Sequence, residues 1–392
     1  MAEGRYLEGV IRADALAQGK MAFVSGPRQV GKTTLAKALL ASPGNYFSWD
    51  DADFRRAFVR SPRTALAERA PGPIVLDEIH KDRRWKTRLK GLYDVAGPAE
   101  GIIVTGSARL DLYRRGGDSL LGRYLPYRLH PFSVAESSTP IAPDQILRNT
   151  KARFAVSDLL RLGAFPEPLL GASEARAQRW SRLRMERLLR EDVRDLRAVA
   201  DLAGLRVLAD LLPPRVGSLL SIHALQQDVG AAYATVRAWL QVFEALYHCF
   251  MVRPYTRRIT RSLRQAPKLY LFDLLDIARD RRAARLENLV ALHLRKACDF
   301  WTDTARGDFD LRYVRDKEGR EVDFLVLRDA TPFMLVECKS ADTTPSPALE
   351  RFAAALALRN AFQLVDKPAY DRRYAQSGIR VMSYDAFLAG LV

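Results

Sequence analysis

One stretch restricts the folds open to this chain. "GPRQVGKTTL", residues 26–35, follows a short apolar run, "MAFVS", and precedes a run that reads as a helix. Gly26, Gly31, Lys32 and Thr33 complete the spacing GxxxxGK[ST], which functions only where a strand delivers the loop and a helix leaves it. The glycines let backbone N–H groups wrap a string of phosphates, and the helix N-terminus adds its positive end. Gly26, Pro27, Arg28, Gln29, Val30, Gly31, Lys32, Thr33 and Thr34 are therefore expected to bind ATP. Lys32 would reach the β- and γ-phosphates, and the Thr33 hydroxyl would hold Mg²⁺.

Downstream, "NYFSW", "PIVLDE", "GIIVTGS" and "YRLHPFS" are further short apolar runs separated by amphipathic segments up to about Pro131. Such runs predict an α/β fold, a parallel sheet with helices on both faces. "PIVLDE" ends in two acids, so Asp77 is expected to assist the Mg²⁺ and Glu78 to polarise the attacking water. Thr105, or less favourably Ser107, would sense the γ-phosphate. Arg109 and Arg123 are both candidates to neutralise transition-state charge, on a neighbouring subunit's nucleotide included. A surface ion pair is the other employment open to each.

Residues 138–152 carry two prolines and little apolar periodicity, which marks a boundary or loop, and "SEARAQRWSRLRMERLLREDVRDLRAV" predicts a connecting helix. From Gly204 to Phe272 three helical segments and then two extended ones suggest a winged helix, with Ser221 as an N-cap. Its third helix carries Tyr233, Thr235, Arg237 and Gln241. No acidic residue lies between Cys249 and Phe272, whereas Arg253, Arg257, Arg258, Arg261, Arg264 and Lys268 do. Such a wing suits a DNA backbone, as does the excess of 62 Lys and Arg over 46 Asp and Glu, a formal charge of +16. Protein packing by the winged helix is the alternative.

The C-terminal stretch holds Glu287 on a predicted helix, Asp323 in "EVDF", and Glu337 with Lys339 in "ECK". On a strand Glu337 and Lys339 share one face and Cys338 points away. Glu287, Asp323 and Glu337 would offer Mg²⁺ hard oxygen ligands, and Lys339 would orient a nucleophile. The set is similar to the PD-(D/E)xK core of restriction endonucleases, with Val322 where proline is usual.

"GPRQVGKTTL", "IVLDEIHK", "IIVTGSARL", "SLLGRYLPYRLHPFSVAE", "GAFPEPLL", "LENLVALHLRK" and "EVDFLVL…FMLVECKS" together resemble the bacterial and archaeal AAA+-type ATPases that join a P-loop domain to a C-terminal DUF4143 domain. The resemblance implies an AAA+-type ATPase domain over 1–137, a helical linker or lid over 138–203, a winged helix over 204–280, and a restriction-endonuclease-like α/β domain over 281–392. A homo-oligomeric ATPase that remodels or translocates DNA, with a nuclease-like domain, is the expectation. A nucleotide switch whose C-terminal domain binds without cutting is its rival, and a nuclease regulated by ATP is a third possibility.

The three cysteines lack CxxC spacing, so neither a disulfide framework nor a zinc site is expected, and a reducing cytoplasm fits. The amino terminus has no signal-peptide core, and no run approaches the roughly 18 apolar residues of a membrane span. His80, His130, His223, His248 and His293 lack metal-ligand spacing, and Trp85, Trp239 and Trp301 are expected to pack.

Overall fold

The structure is a computed structural model that describes residues 4–96, 101–106, 120–137, 139–148, 151–193, 201–256 and 265–392. The chain divides into two compact units, Met1–Pro131 with Ser137–Pro140, and Phe132–Glu136 with Ile141–Val392. Among the described residues no helix is long and apolar enough to cross a membrane.

The first unit is a parallel sheet of β1 (Met21–Ser25), β2 (Tyr46–Ser48), β3 (Ile74–Asp77), β4 (Ile102–Thr105) and β5 (Tyr124–Arg128), in the order β2-β3-β4-β1-β5. Every residue of β1, β3 and β4 is buried, which is why these strands read as continuous apolar runs rather than alternating ones. The helices Ala52–Arg60 and Trp85–Ala96 supply Phe58, Trp85 and Leu89 to a core with Phe23, Leu76 and Val104. The fifth strand lies earlier than the expected "YRLHPFS". It contains Pro126, which has no N–H to give a second neighbour, and β5 is accordingly at the edge. Because the pairing is parallel, the residues after β1, β3 and β4 emerge at the carboxyl end of the sheet, where open α/β sheets bind their ligands.

The second unit contains an eight-stranded sheet. Its strands are β6 (Cys249–Pro254), β7 (Lys268–Leu271), β8 (Phe309–Arg315), β9 (Glu321–Arg328), β10 (Thr331–Lys339), β11 (Ala361–Val365), β12 (Asp371–Arg373) and β13 (Arg380–Ser383), in the order β12-β13-β11-β10-β9-β8-β6-β7. β8, β9 and β10 form an antiparallel meander. The two strands expected to make a wing pair antiparallel as β6 and β7, and β6 also pairs parallel with β8, so the hairpin is joined to the sheet. All four residues of β7 are buried, whereas a solvated wing would alternate. Asn288, on the long helix Arg282–Asp303, accepts from the backbone N–H of Leu271 and donates to its carbonyl, both at 2.8 Å, thereby occupying backbone groups on the sheet edge.

The two faces of this sheet are distinct. Phe324 packs on Tyr270, whose hydroxyl reaches the long helix, while the adjacent Leu325 joins Leu349 and Ala353 of the helix Pro347–Ala355. The segment Phe132–Glu136 is pinned to the long helix by a desolvated ion pair. Lys296 Nζ lies 2.6 Å from Glu136 Oε2 and 2.7 Å from Ser133 Oγ, with both charged side chains almost fully buried. His293 accepts the Val134 N–H at 2.9 Å, and burial pushes its pKa down to about 3. Lys296→Met leaves Glu136 buried without its counter-charge, so a loss of about 3–5 kcal/mol is expected in urea melts. The Lys296→Met/Glu136→Leu double variant should recover part of that loss in the same melts.

Candidate nucleotide site and C-terminal carboxylate cluster

β1 runs straight into the phosphate loop. Gly26 has φ +146°, and a Cβ there would stand 2.3 Å from the Leu129 carbonyl oxygen, so the loop's approach to the strand end admits only glycine. Lys32, largely buried, donates to the carbonyls of Gly26 at 3.0 Å and Pro27 at 2.7 Å, which keeps its charge inside the loop. The loop is also held by a residue that the motif does not contain. Arg5 donates to the carbonyl of Val30 at 2.8 Å and to that of His130 at 2.6 Å, and Tyr6 donates to that of Arg128 at 2.6 Å. No local sequence signal marks these contacts, which span 25 to 125 residues.

Asp77 is where the expected site residues meet. Its Oδ2 accepts the Thr33 hydroxyl at 3.1 Å and the Tyr46 hydroxyl at 2.6 Å, and its Oδ1 accepts the Thr105 hydroxyl. Tyr46 went unassigned in the sequence, although "NYFSW" places it on the neighbouring strand; burial and Asp77 raise its pKa well above the usual phenol range. Glu78 follows in a left-handed conformation, φ +57°, with its N–H on the Thr105 carbonyl at 2.9 Å. Its carboxylate lies 3.6 Å from His80 Nε2 and 3.7 Å from Lys81 Nζ. Burial raises the Glu78 pKa, against the pull of Lys81 and Lys32. Thr33 and Asp77 offer the paired hard oxygens that Mg²⁺ takes, and Gly26 lets the phosphate loop pass against the Leu129 carbonyl; these residues fit Mg²⁺-ATP.

Arg123 is paired with Asp94 of its own chain, at 2.8 Å from Nε and 3.3 Å from Nη2, so this structure shows it in a surface ion pair. Arg109 and Ser107 lie outside the described residues.

Of the residues expected to meet DNA, Arg237 is exposed on the helix Tyr233–Ala245 and Arg253 is half-buried on β6. Arg257, Arg258, Arg261 and Arg264 lie outside the described residues. Lys268 corrects the expectation: it is 3% exposed, and its ammonium faces carboxylates. Lys268 Nζ lies 2.7 Å from Glu321 Oε1, 2.9 Å from Asp323 Oδ1 and 3.5 Å from Glu287 Oε1. Tyr270, two residues along on the same face, donates to Glu287 at 2.8 Å. The alternation of Lys268 and Tyr270 in "PKLYLFD" was the available signal.

The three carboxylates expected to share a magnesium ion are not gathered around one point. Glu287 and Asp323 share Lys268, and Asp323 also accepts the Cys338 N–H at 2.9 Å. Glu337 instead accepts the hydroxyl of Ser346 and pairs with Lys339 at 2.6 Å. Among the described residues no group of three His, Cys, Asp or Glu stands in metal-holding geometry. Burial and the Asp323 charge both raise the Glu287 pKa.

Residues 18–138 match the family described as an AAA domain, 153–274 match a domain of unknown function, DUF8612, and 283–387 match a domain of unknown function, DUF4143. The protein thus has an AAA-type P-loop domain, with an ATPase-like fold, and a C-terminal DUF4143 domain. An uncharacterized protein of Mycobacterium tuberculosis (strain H37Rv) is 26% identical over 351 residues, covering 83% of this chain and 74% of the relative. Two solved structures share 14% identity: Aeropyrum pernix Orc1 in complex with DNA (73% of this chain, 92% of that one, TM-score 0.31) and a single-substitution variant of Thermotoga maritima RuvB (62% and 86%, TM-score 0.29).

Gly26→Ala tests the loop geometry. Backbone strain of about 1–3 kcal/mol at such a φ, added to the clash with Leu129, should weaken binding of a fluorescent ATP analogue by about tenfold or more. The circular dichroism spectrum should remain that of the wild type.

Proposed function

We propose that the protein is an ATP-hydrolysing AAA-type machine acting on DNA. The observation that carries the nucleotide half is the convergence of Thr33 and Thr105 on Asp77 beside Lys32 and Glu78. In this reading Lys32 meets the β- and γ-phosphates, Thr33 and Asp77 hold magnesium, and Glu78 takes a proton from the attacking water. The metal, when bound, supplies charge neutralisation on the phosphate oxygens. Burial makes Glu78 a stronger base than a solvated carboxylate. Thr105 reports on the γ-phosphate, and Arg109 or Arg123 acts across a homo-oligomer interface; for Arg123 this requires release from Asp94.

The DNA half rests on the +16 charge and on the basic run Arg253 to Arg264, together with exposed Arg237. It assigns residues 1–137 to the ATPase, 138–203 to a linker or lid, 204–280 to DNA contact and 281–392 to the nuclease-like part, in the cytoplasm. The enclosed Lys268 favours, for the last part, the second reading of the chain as a nucleotide switch that binds without cutting.

Steady-state ATP hydrolysis, measured without DNA and with single-stranded, duplex and four-way-junction DNA at moderate salt, separates the two. The machine requires stimulation by one DNA form that is lost in Lys32→Ala; a slow rate indifferent to every DNA leaves the switch. Glu78→Gln should lower kcat by about 10²–10⁴-fold, the range typical of a general base. Because Glu78 must be ionised to accept a proton, and its pKa is raised, the wild-type rate should fall as pH drops, with an inflection above the usual 4.5 of glutamate.

A further inference from the structure

We propose that Lys268 is the resident cation of the C-terminal carboxylate cluster, its ammonium standing where a nuclease-like site would bind a divalent ion, so that this domain holds no catalytic metal. An ammonium has three N–H donors and no acceptor. Here there are three acceptors for them, Glu321, Asp323 and Glu287, at 2.7, 2.9 and 3.5 Å. Burial works against the lysine's charge, but Asp323, Glu287 and Glu321 outweigh it and keep the ammonium protonated.

A divalent ion would need the same oxygens at about 2.0–2.6 Å and could not share them with a cation already at hydrogen-bond distance. The lysine is also not free to leave. Its strand pairs with Val252 of β6 on one side and is bridged to Leu219 on the other, and Leu220 N–H reaches the Pro267 carbonyl at 2.8 Å. Its Nζ stands over the Tyr313 ring, 5.9 Å from the centroid. Gly217 closes the Glu287 side: a Cβ there would come within 3.0 Å of both Glu287 oxygens. The remaining motif carboxylate, Glu337, is engaged by Ser346 and Lys339, while Asp323 turns to Lys268 and the Cys338 N–H.

The filled site is independent of ATP hydrolysis, since none of these residues belongs to the phosphate loop. Manganese binding, followed by EPR titration of the nucleotide-free full chain, tests it. Wild type and Asp323→Asn should bind equal amounts of Mn²⁺. Lys268→Met should gain one site, lost again in Lys268→Met/Asp323→Asn. Should Lys268→Met not fold, Lys268→Met/Glu287→Gln, with one half-buried charge fewer, takes its place. A wild-type Mn²⁺ site abolished by Asp323→Asn overturns the proposal, as does a folded lysine variant that gains none. Wild type with Mg²⁺ or Mn²⁺ should leave duplex, forked and single-stranded DNA intact, and cleavage abolished by Asp323→Asn overturns it too. Basal ATP hydrolysis should persist in all these variants at the wild-type rate; its absence from wild type would count against the ATPase reading and leave this one standing.

Discussion

A buried carboxylate that three hydroxyls hold in place organises the first unit. Asp77 is 7% exposed, and a charge so placed costs several kcal/mol unless its lone pairs are met. Thr33 comes from the start of the phosphate-loop helix, Tyr46 from β2 and Thr105 from β4, so the single side chain on β3 ties together the elements on which a nucleotide site depends. The sheet order makes this possible. With β4 between β3 and β1, Thr105 is the register partner of both Asp77 and Val24, one residue before β1 ends and two before Gly26. Slipping β3 or β4 by one residue would put Asp77 and Thr105 on opposite faces.

The second unit meets the same electrostatic problem with a different solution. Its half-buried carboxylates have a lysine rather than hydroxyls as their common partner. The distinction decides what each site can accept. Neutral donors around Asp77 can reorient and yield a lone pair to a metal ion without leaving a charge stranded. Around Glu287, Glu321 and Asp323 an incoming divalent ion would have to displace a buried ammonium that has nowhere polar to go, at a cost that grows as the effective dielectric falls.

What the sequence made legible follows from how local each feature is. The phosphate loop and its strand and helix occupy residues 21–38 without interruption, so spacing alone conveyed the geometry. Asp77 and Thr105 were legible because each ends an apolar run. Three other features were hidden by long-range contacts. Arg5 touches the loop across 25 residues and reads as an ordinary charged terminus. Lys268 reads as one more base in a basic stretch, because its burial depends on β6 joining β8 some 60 residues later in the chain. The displaced fifth strand shows the third kind of failure: "HPFS" is apolar enough to extend a strand, but its residues from Phe132 belong to the other unit, where Val134 and Glu136 meet His293 and Lys296.

Incorporating the hairpin into the sheet also changes where positive charge can act. A wing projecting into solvent would have presented Arg253 and Lys268 together. Between β8 and β7, β6 leaves Arg253 half-buried near Arg295, Arg312 and Asp310, and β7 turns Lys268 inward. Any attraction this region exerts on a polyanion must then come from the intervening arginines 257–264 and from Arg237 on the preceding helix, not from the strands themselves. A long-range field of that kind is screened over about 8–10 Å at physiological salt, so it would set the rate of encounter and a steep salt dependence and give little discrimination between base sequences. Of the function proposed above, the nucleotide half is therefore the one that geometry defines closely, and the DNA half rests on charge alone.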